Sequence, residues 1–271
     1  MSCPFPPEIL DLVVDHLHNK PKTLKMCCLV SKSWIPRTRK HLFAAITLYA
    51  CFPDHTEQWK KNFPDPSNSP AHHTRRLSIH LPLSFEDAGA GFLLAFSSVV
   101  HLDLSTTTRY WSSCDQAISL VPLHGLSPVI KSLRLKFSEL KDSEVFGLIC
   151  SFPLLEDLDL SSFGFDRRDQ KWSTPSTSPR LTGSLELWVH TGIQSIARGL
   201  LDLPNGLHFA KVTVHCYSDN CVKPTMGLVS GCSDTLESLD VTNLSFRGTS
   251  PFVQPGLYLT AACRLLLDDF T

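Results

Sequence analysis

The sequence contains no CxxC pair, no stretch of apolar residues approaching the ~18 that a membrane-spanning helix requires, and almost no net charge. Its ten cysteines are scattered from Cys3 to Cys263, and its first ten residues, MSCPFPPEIL, carry three prolines and an acid where a secretory leader needs basic and then apolar residues. This predicts reduced thiols and a protein of the cytosol or nucleus. A formal charge of -1 argues against a surface shaped for nucleic acid or an anionic membrane, and neither is expected as a partner. Also missing are a glycine-rich phosphate loop, GxSxG and HExxH, so no catalytic constellation emerges and no cofactor is implied. His215, Cys216, Cys221 and Cys232 come nearest to a metal set, but their spacing fits none of the usual zinc patterns and core packing is the simpler use of such thiols.

What is present begins with an amphipathic pattern. Ile9, Leu10, Val13, Val14 and Leu17 recur on one helical face behind Pro6 and Pro7, and Glu8 complements the helix N-terminus. A second apolar face follows in Leu24, Cys27, Cys28, Leu29 and Val30 and leads to Trp34. Pro36 should break or kink that helix, and a third short one is expected over 37–43. The basic run Arg37, Arg39, Lys40, His41 has no interleaved aromatics and reads as a solvated helix face.

Beyond residue 43 the pattern becomes repetitive. L-x-L segments recur with first apolar residues at Ile46, Leu77, Leu102, Leu133, Leu158, Leu185, Val212, Leu239 and Leu265, spaced 25 to 31 residues apart. Phe43, Val99, Ile130, Leu155, Phe209 and Leu236 stand three positions earlier, which completes an L-x-x-L-x-L unit. A short strand cannot bury its leucines alone, so such units stack in parallel, with return segments such as 92–96, 145–149 and 196–201 on the other side. The repeats are irregular: Thr107, Ser138, Phe163, His190 and Tyr217 stand where regular leucine-rich repeats place asparagine. Residues 161–184 read as a polar, proline-punctuated loop, and the end four residues after Leu267 would leave the last repeat incomplete at its C-terminal side.

The ordered set FPPEILDLVVDHL, TLKMCCLVSKSW and HLF resembles the F-box motif, in the fungal form that precedes irregular leucine-rich repeats. The resemblance covers roughly the first 45 residues. It implies an α/β chain in two parts, a three-helix F-box over 1–45 and a curved, parallel-stranded leucine-rich-repeat-like solenoid over 46–271. It further implies a non-catalytic substrate receptor of an SCF-type (Skp-cullin-F-box) ubiquitin ligase, with a Skp-type adaptor and, through it, a cullin as partners. Carried over position by position, the adaptor-binding residues are Pro6, Pro7, Ile9, Leu10, Val13, Leu17, Leu29, Val30 and Trp34. An ordinary helical cap on a repeat domain, or a scaffold that binds partners without directing ubiquitination, remains the alternative.

In the repeats, residues alternating with the leucines point away from the core. Candidates there for contact with a protein substrate are His101, Asp103, Arg134, Lys136, Asp157, Asp159, Glu186, Trp188, Lys211 and His215. Trp188 is the plausible anchor, an aromatic among polar neighbours.

Overall fold

The computed structural model describes residues 6–49, 53–65, 68–81, 92–106, 120–137, 142–162, 178–189, 193–216 and 221–243, together with a strand at 257–260. It is a mixed α/β structure built on one open sheet whose strand order follows chain order. The strands are β1 Ala45–Tyr49, β2 Arg76–Leu81, β3 His101–Thr106, β4 Ser132–Phe137, β5 Asp157–Ser162, β6 Ser184–Val189, β7 Lys211–Cys216, β8 Ser238–Asn243 and β9 Leu257–Thr260. The first eight are parallel.

Register follows the leucine spacing. Ile46, Leu77, Leu102, Leu133, Leu158, Leu185, Val212 and Leu239 are paired strand to strand in one unbroken row. Because side chains alternate across a strand, this row and the next apolar one, Leu48 through Val241, fall on one face of the sheet, and a slip of one residue would turn both toward water. Val99, Ile130, Leu155 and Phe209 add a fully buried third layer. In β2 the equivalent position is Thr74, buried with its hydroxyl unpartnered.

A backbone ladder runs beneath these strands. The carbonyl two residues before each strand's leading apolar residue accepts the N–H groups at the same place in the next: Ala44 from Arg75 and Arg76, Arg75 from Val100 and His101, Val100 from Lys131 and Ser132, Lys131 from Glu156 and Asp157. Between β5 and β6 the pattern changes. Glu156 accepts from Gly183 only, and the Ser184 N–H turns to Asp157 Oδ1 at 2.7 Å.

Seven α-helices lie among the described residues: α1 Pro7–His16, α2 Pro21–Val30, α3 Ile35–Leu42, α4 Pro53–Asn62, α5 Asp142–Ser151, α6 Ile193–Leu201 and α7 Val222–Gly231. Residues of α5, α6 and α7 join the apolar row of the sheet in a single core, with Phe96, Phe146, Phe152 and Phe209 as its largest buried side chains. Cys221 and Cys232 are buried in that core as well, and burial pushes the Cys232 thiol's proton affinity up. α5 and α6 contain the return segments expected at 145–149 and 196–201.

Several expectations need correction. The second helix ends at Val30, where Ser31 adopts an extended backbone; a 3₁₀ turn carries Lys32 to Trp34, and Pro36 opens α3 from its first turn rather than merely ending α2. The loop expected over 161–184 begins and ends inside strands β5 and β6. The strand after β8 is β9, and it pairs antiparallel, so the sheet is not parallel throughout. Leu265 and the five asparagine-equivalent positions lie outside the described residues.

Candidate functional site

Two surfaces carry the residues singled out in the sequence. The first is the helical head. Each of α1, α2 and α3 has a proline in its first turn, where a missing N–H costs nothing. α3 packs against both α1 and α2, and Val14, Leu24 and Cys27 form the small interior with Thr38.

The α1–α3 contact is ionic. Arg37 grips the Asp15 carboxylate with Nε at 2.6 Å and with Nη2, and His41 Nε2 meets Asp15 Oδ1 at 2.7 Å. Hydrogen bonding by Arg37 and then by His41 holds the Asp15 carboxyl well below the usual carboxylate range. Half of the basic run is therefore turned inward: Arg37 and His41 bind Asp15, and only Arg39 and Lys40 keep a solvated role.

Of the nine adaptor-binding candidates none is in the interior. Pro6, Pro7, Ile9, Val13, Leu29 and Val30 are exposed, and Leu10, Leu17 and Trp34 are half-buried. Leu29 is 80% and Val30 69% accessible, very high for aliphatic side chains that have an adjacent core to enter. The sequence missed two neighbours, Leu12 and Met26, which are also exposed. With them, Ile9, Leu12 and Val13 make an apolar stripe at helical spacing on α1, and Met26, Leu29 and Val30 make another on α2. Isolated exposed aliphatics are ordinary, but two stripes on a module this small make a candidate interaction surface.

The second surface is the polar face of the sheet. Three rows cross it. Arg76, His101, Ser132 and Asp157 lead into Lys211 and Ser238 on the first row. Ser78, Asp103, Arg134, Asp159, Glu186, Thr213 and Asp240 form the second, and Tyr49, His80, Ser105, Lys136, Ser161, Trp188, His215 and Thr242 the third.

Within these rows the candidates differ in what holds them. Arg134 donates to Asp159 Oδ2 at 2.5 Å and lies 3.9 Å from Asp103, so these three form one ion cluster. Asp157 is engaged otherwise, accepting both the N–H and the hydroxyl of Ser184 at 2.7 Å, which ties β5 to β6. His101, Lys136 and Lys211 are exposed. Trp188 is 38% accessible and its ring meets that of His215 at a 33° tilt, with centroids 3.7 Å apart, and its indole N–H donates to Glu186 Oε1 at 2.6 Å. Burial lowers the proton affinity of His215, against the pull of Glu186, Asp240 and Asp159. At the far end of the same row Tyr49 stacks on His80 with centroids 4.6 Å apart, and His80 is bonded to Ser105; the leucine pattern gives no signal for Tyr49.

Among the described residues, no three histidine, cysteine or acidic side chains converge as metal ligands, and no helix is long and apolar enough to cross a membrane. Compared with models of known protein families the chain matches none, and no curated protein matches it either.

Proposed function

We propose that this chain is a substrate receptor of an SCF-type ubiquitin ligase: residues 1–45 act as an F-box that docks on a Skp-type adaptor, and 46–271 form an irregular leucine-rich-repeat solenoid that binds a protein substrate. The observation that carries the reading is the pair of exposed apolar stripes on the helical head, Ile9, Leu12 and Val13 on α1 with Met26, Leu29 and Val30 on α2. A head of ~40 residues has too little interior to be stable through its own core, and a partner groove that covers these stripes would complete it.

The ordered sequence motif adds the identity of the partner, and the register of the strands supports a repeat reading of the remainder. In such a receptor the chain performs no chemistry. It holds a substrate beside the ligase, and proximity raises the effective concentration of acceptor lysines near the loaded ubiquitin carrier. Little separates the two parts: α3 ends at Leu42 and β1 starts at Ala45, and Ala44 already belongs to the sheet's backbone ladder. A substrate held on the sheet would thus have a fixed position relative to the adaptor.

The test is co-purification of the tagged full chain from cells beside an Ile9→Lys/Trp34→Ala variant. Adaptor and cullin should accompany the parent chain and be lost from the variant. Their absence from both samples would reject the ligase reading.

A further inference from the structure

We infer that the polar sheet face around Trp188 docks a protein segment through a lysine or arginine side chain. This deepens the receptor reading above and rests on it, because it assigns a chemical class to the substrate.

Trp188 is built as an anchor. Its indole is fixed on one side by the His215 ring at 3.7 Å and at its edge by the 2.6 Å hydrogen bond to Glu186. A ring already held in place loses little conformational freedom when a partner lands on it. Its register neighbour on the other side is Ser161, which is too small to cover an indole and whose hydroxyl is turned to Asp159 at 2.9 Å. Among the described residues, one ring face is consequently left for a partner.

Charge complementarity chooses that partner. Asp159, Glu186 and Asp240 occupy the same register row on β5, β6 and β8, directly beside the Trp188–His215 row. Arg134 neutralises Asp159. Glu186 has its basic neighbour in His215 Nε2 at 3.9 Å, and burial of that imidazole favours its neutral form. Among the described residues, no lysine or arginine forms an ion pair with Glu186 or Asp240. Glu186 at the indole edge, which Arg134 reaches only through space, and Asp240 beyond His215 favour a cationic side chain over the ring, by Coulomb attraction and by the ring's own quadrupole, and disfavour an acidic peptide or a nucleic acid.

The experiment uses the purified full chain and three fluorescein-labelled Gly/Ser peptides that differ only in carrying arginine, lysine or glutamate, read by fluorescence anisotropy. The arginine and lysine peptides should bind, more weakly at high salt, and the glutamate peptide should not. Trp188→Ala and Glu186→Gln/Asp240→Asn should each weaken arginine-peptide binding about tenfold or more. The glutamine retains an acceptor for the indole N–H, so the double variant removes charge and leaves the ring in place. Lys223→Ala, exposed on α7 and away from this face, should bind as the parent does, and thermal melts should show every variant folded.

Equal binding of the arginine and glutamate peptides would overturn the inference. So would unchanged binding by the folded Trp188 and Glu186/Asp240 variants, or no binding of the arginine peptide by the parent chain. None of these results touches adaptor binding, which is measured separately, so failure here with the adaptor still bound rejects the substrate class alone.

Discussion

Arg37 of α3 and Asp15 of α1 form a two-pronged ion pair, with His41 sharing the same carboxylate. This is the main polar tie between the first and third helices. Asp15→Asn should loosen α1, seen as faster amide hydrogen exchange across Pro7–His16 with little change in the sheet. The effect should depend on pH in a defined direction. A carboxyl whose folded-state proton affinity is depressed stabilises the fold above the unfolded-state pKa of ~3.9 and loses that contribution as pH falls toward the folded value. The difference between parent and variant should be level from neutral pH to about pH 5 and shrink below about pH 4.

Gly183 sits where no other residue fits comfortably. A Cβ there would lie 2.4 Å from Asp157 Oδ1 and 3.1 Å from the Glu156 carbonyl oxygen, the two groups that join β6 to β5. Gly183→Ala should destabilise the chain by about 1–3 kcal/mol in denaturant titration. Asp157→Ala, which leaves the Ser184 N–H without its acceptor, should cost about the same.

Gly199 on α6 faces the buried ring of Phe146 on α5, and a Cβ would come within 2.2 Å of Cζ. Alanine is the better helix former by about 1 kcal/mol, but overpacking against a ring with nowhere to move costs about 1–3 kcal/mol. Gly199→Ala should therefore be destabilising. Adding Phe146→Leu should recover part of the loss, because it makes the room that alanine needs.

Leu133 and Arg134 are adjacent on β4 and face opposite ways. Leu133→Ala should lower stability by about 2–5 kcal/mol, since it opens a cavity in the apolar row. Arg134→Ala should change it by about 1 kcal/mol or less, because that ion cluster is open to solvent. Chemical denaturation of the two variants separates core from surface on the same strand.

The strands were readable because each is buried on one face only. Alternation from Ile46 to Leu239 then specifies both the strand and its register. Strand direction is not in that spacing, which is why antiparallel β9 was unforeseen. α4 and α7 were missed for local reasons. α4 is mostly polar, with Trp59 as its main report of packing, and α7 contains Pro224, Gly227 and Gly231; the proline is tolerated only because it falls in the first turn. On the helical head, the sequence supplied the apolar positions but not which of them α3 covers, so Val14 and Leu24 could not be told from Val13 and Leu29. Asp15 gives no signal in the sequence, because its partners lie 22 and 26 residues away. On the sheet, Trp188 is visible as an exposed aromatic, whereas its ring contact with His215 and the diversion of Asp157 to Ser184 depend on contacts between strands.

Docking of the α1 and α2 stripes on a Skp-type adaptor is measured by calorimetric titration of the purified full chain with the purified adaptor. Leu29→Asp and Val30→Asp place a charge on side chains the fold leaves exposed, so the variants should melt as the parent does. The parent chain should bind the adaptor with one-to-one stoichiometry, and a single aspartate in the stripe should weaken binding tenfold or more. No heat of binding with the parent chain, or equal affinity for parent and folded aspartate variants, would contradict it.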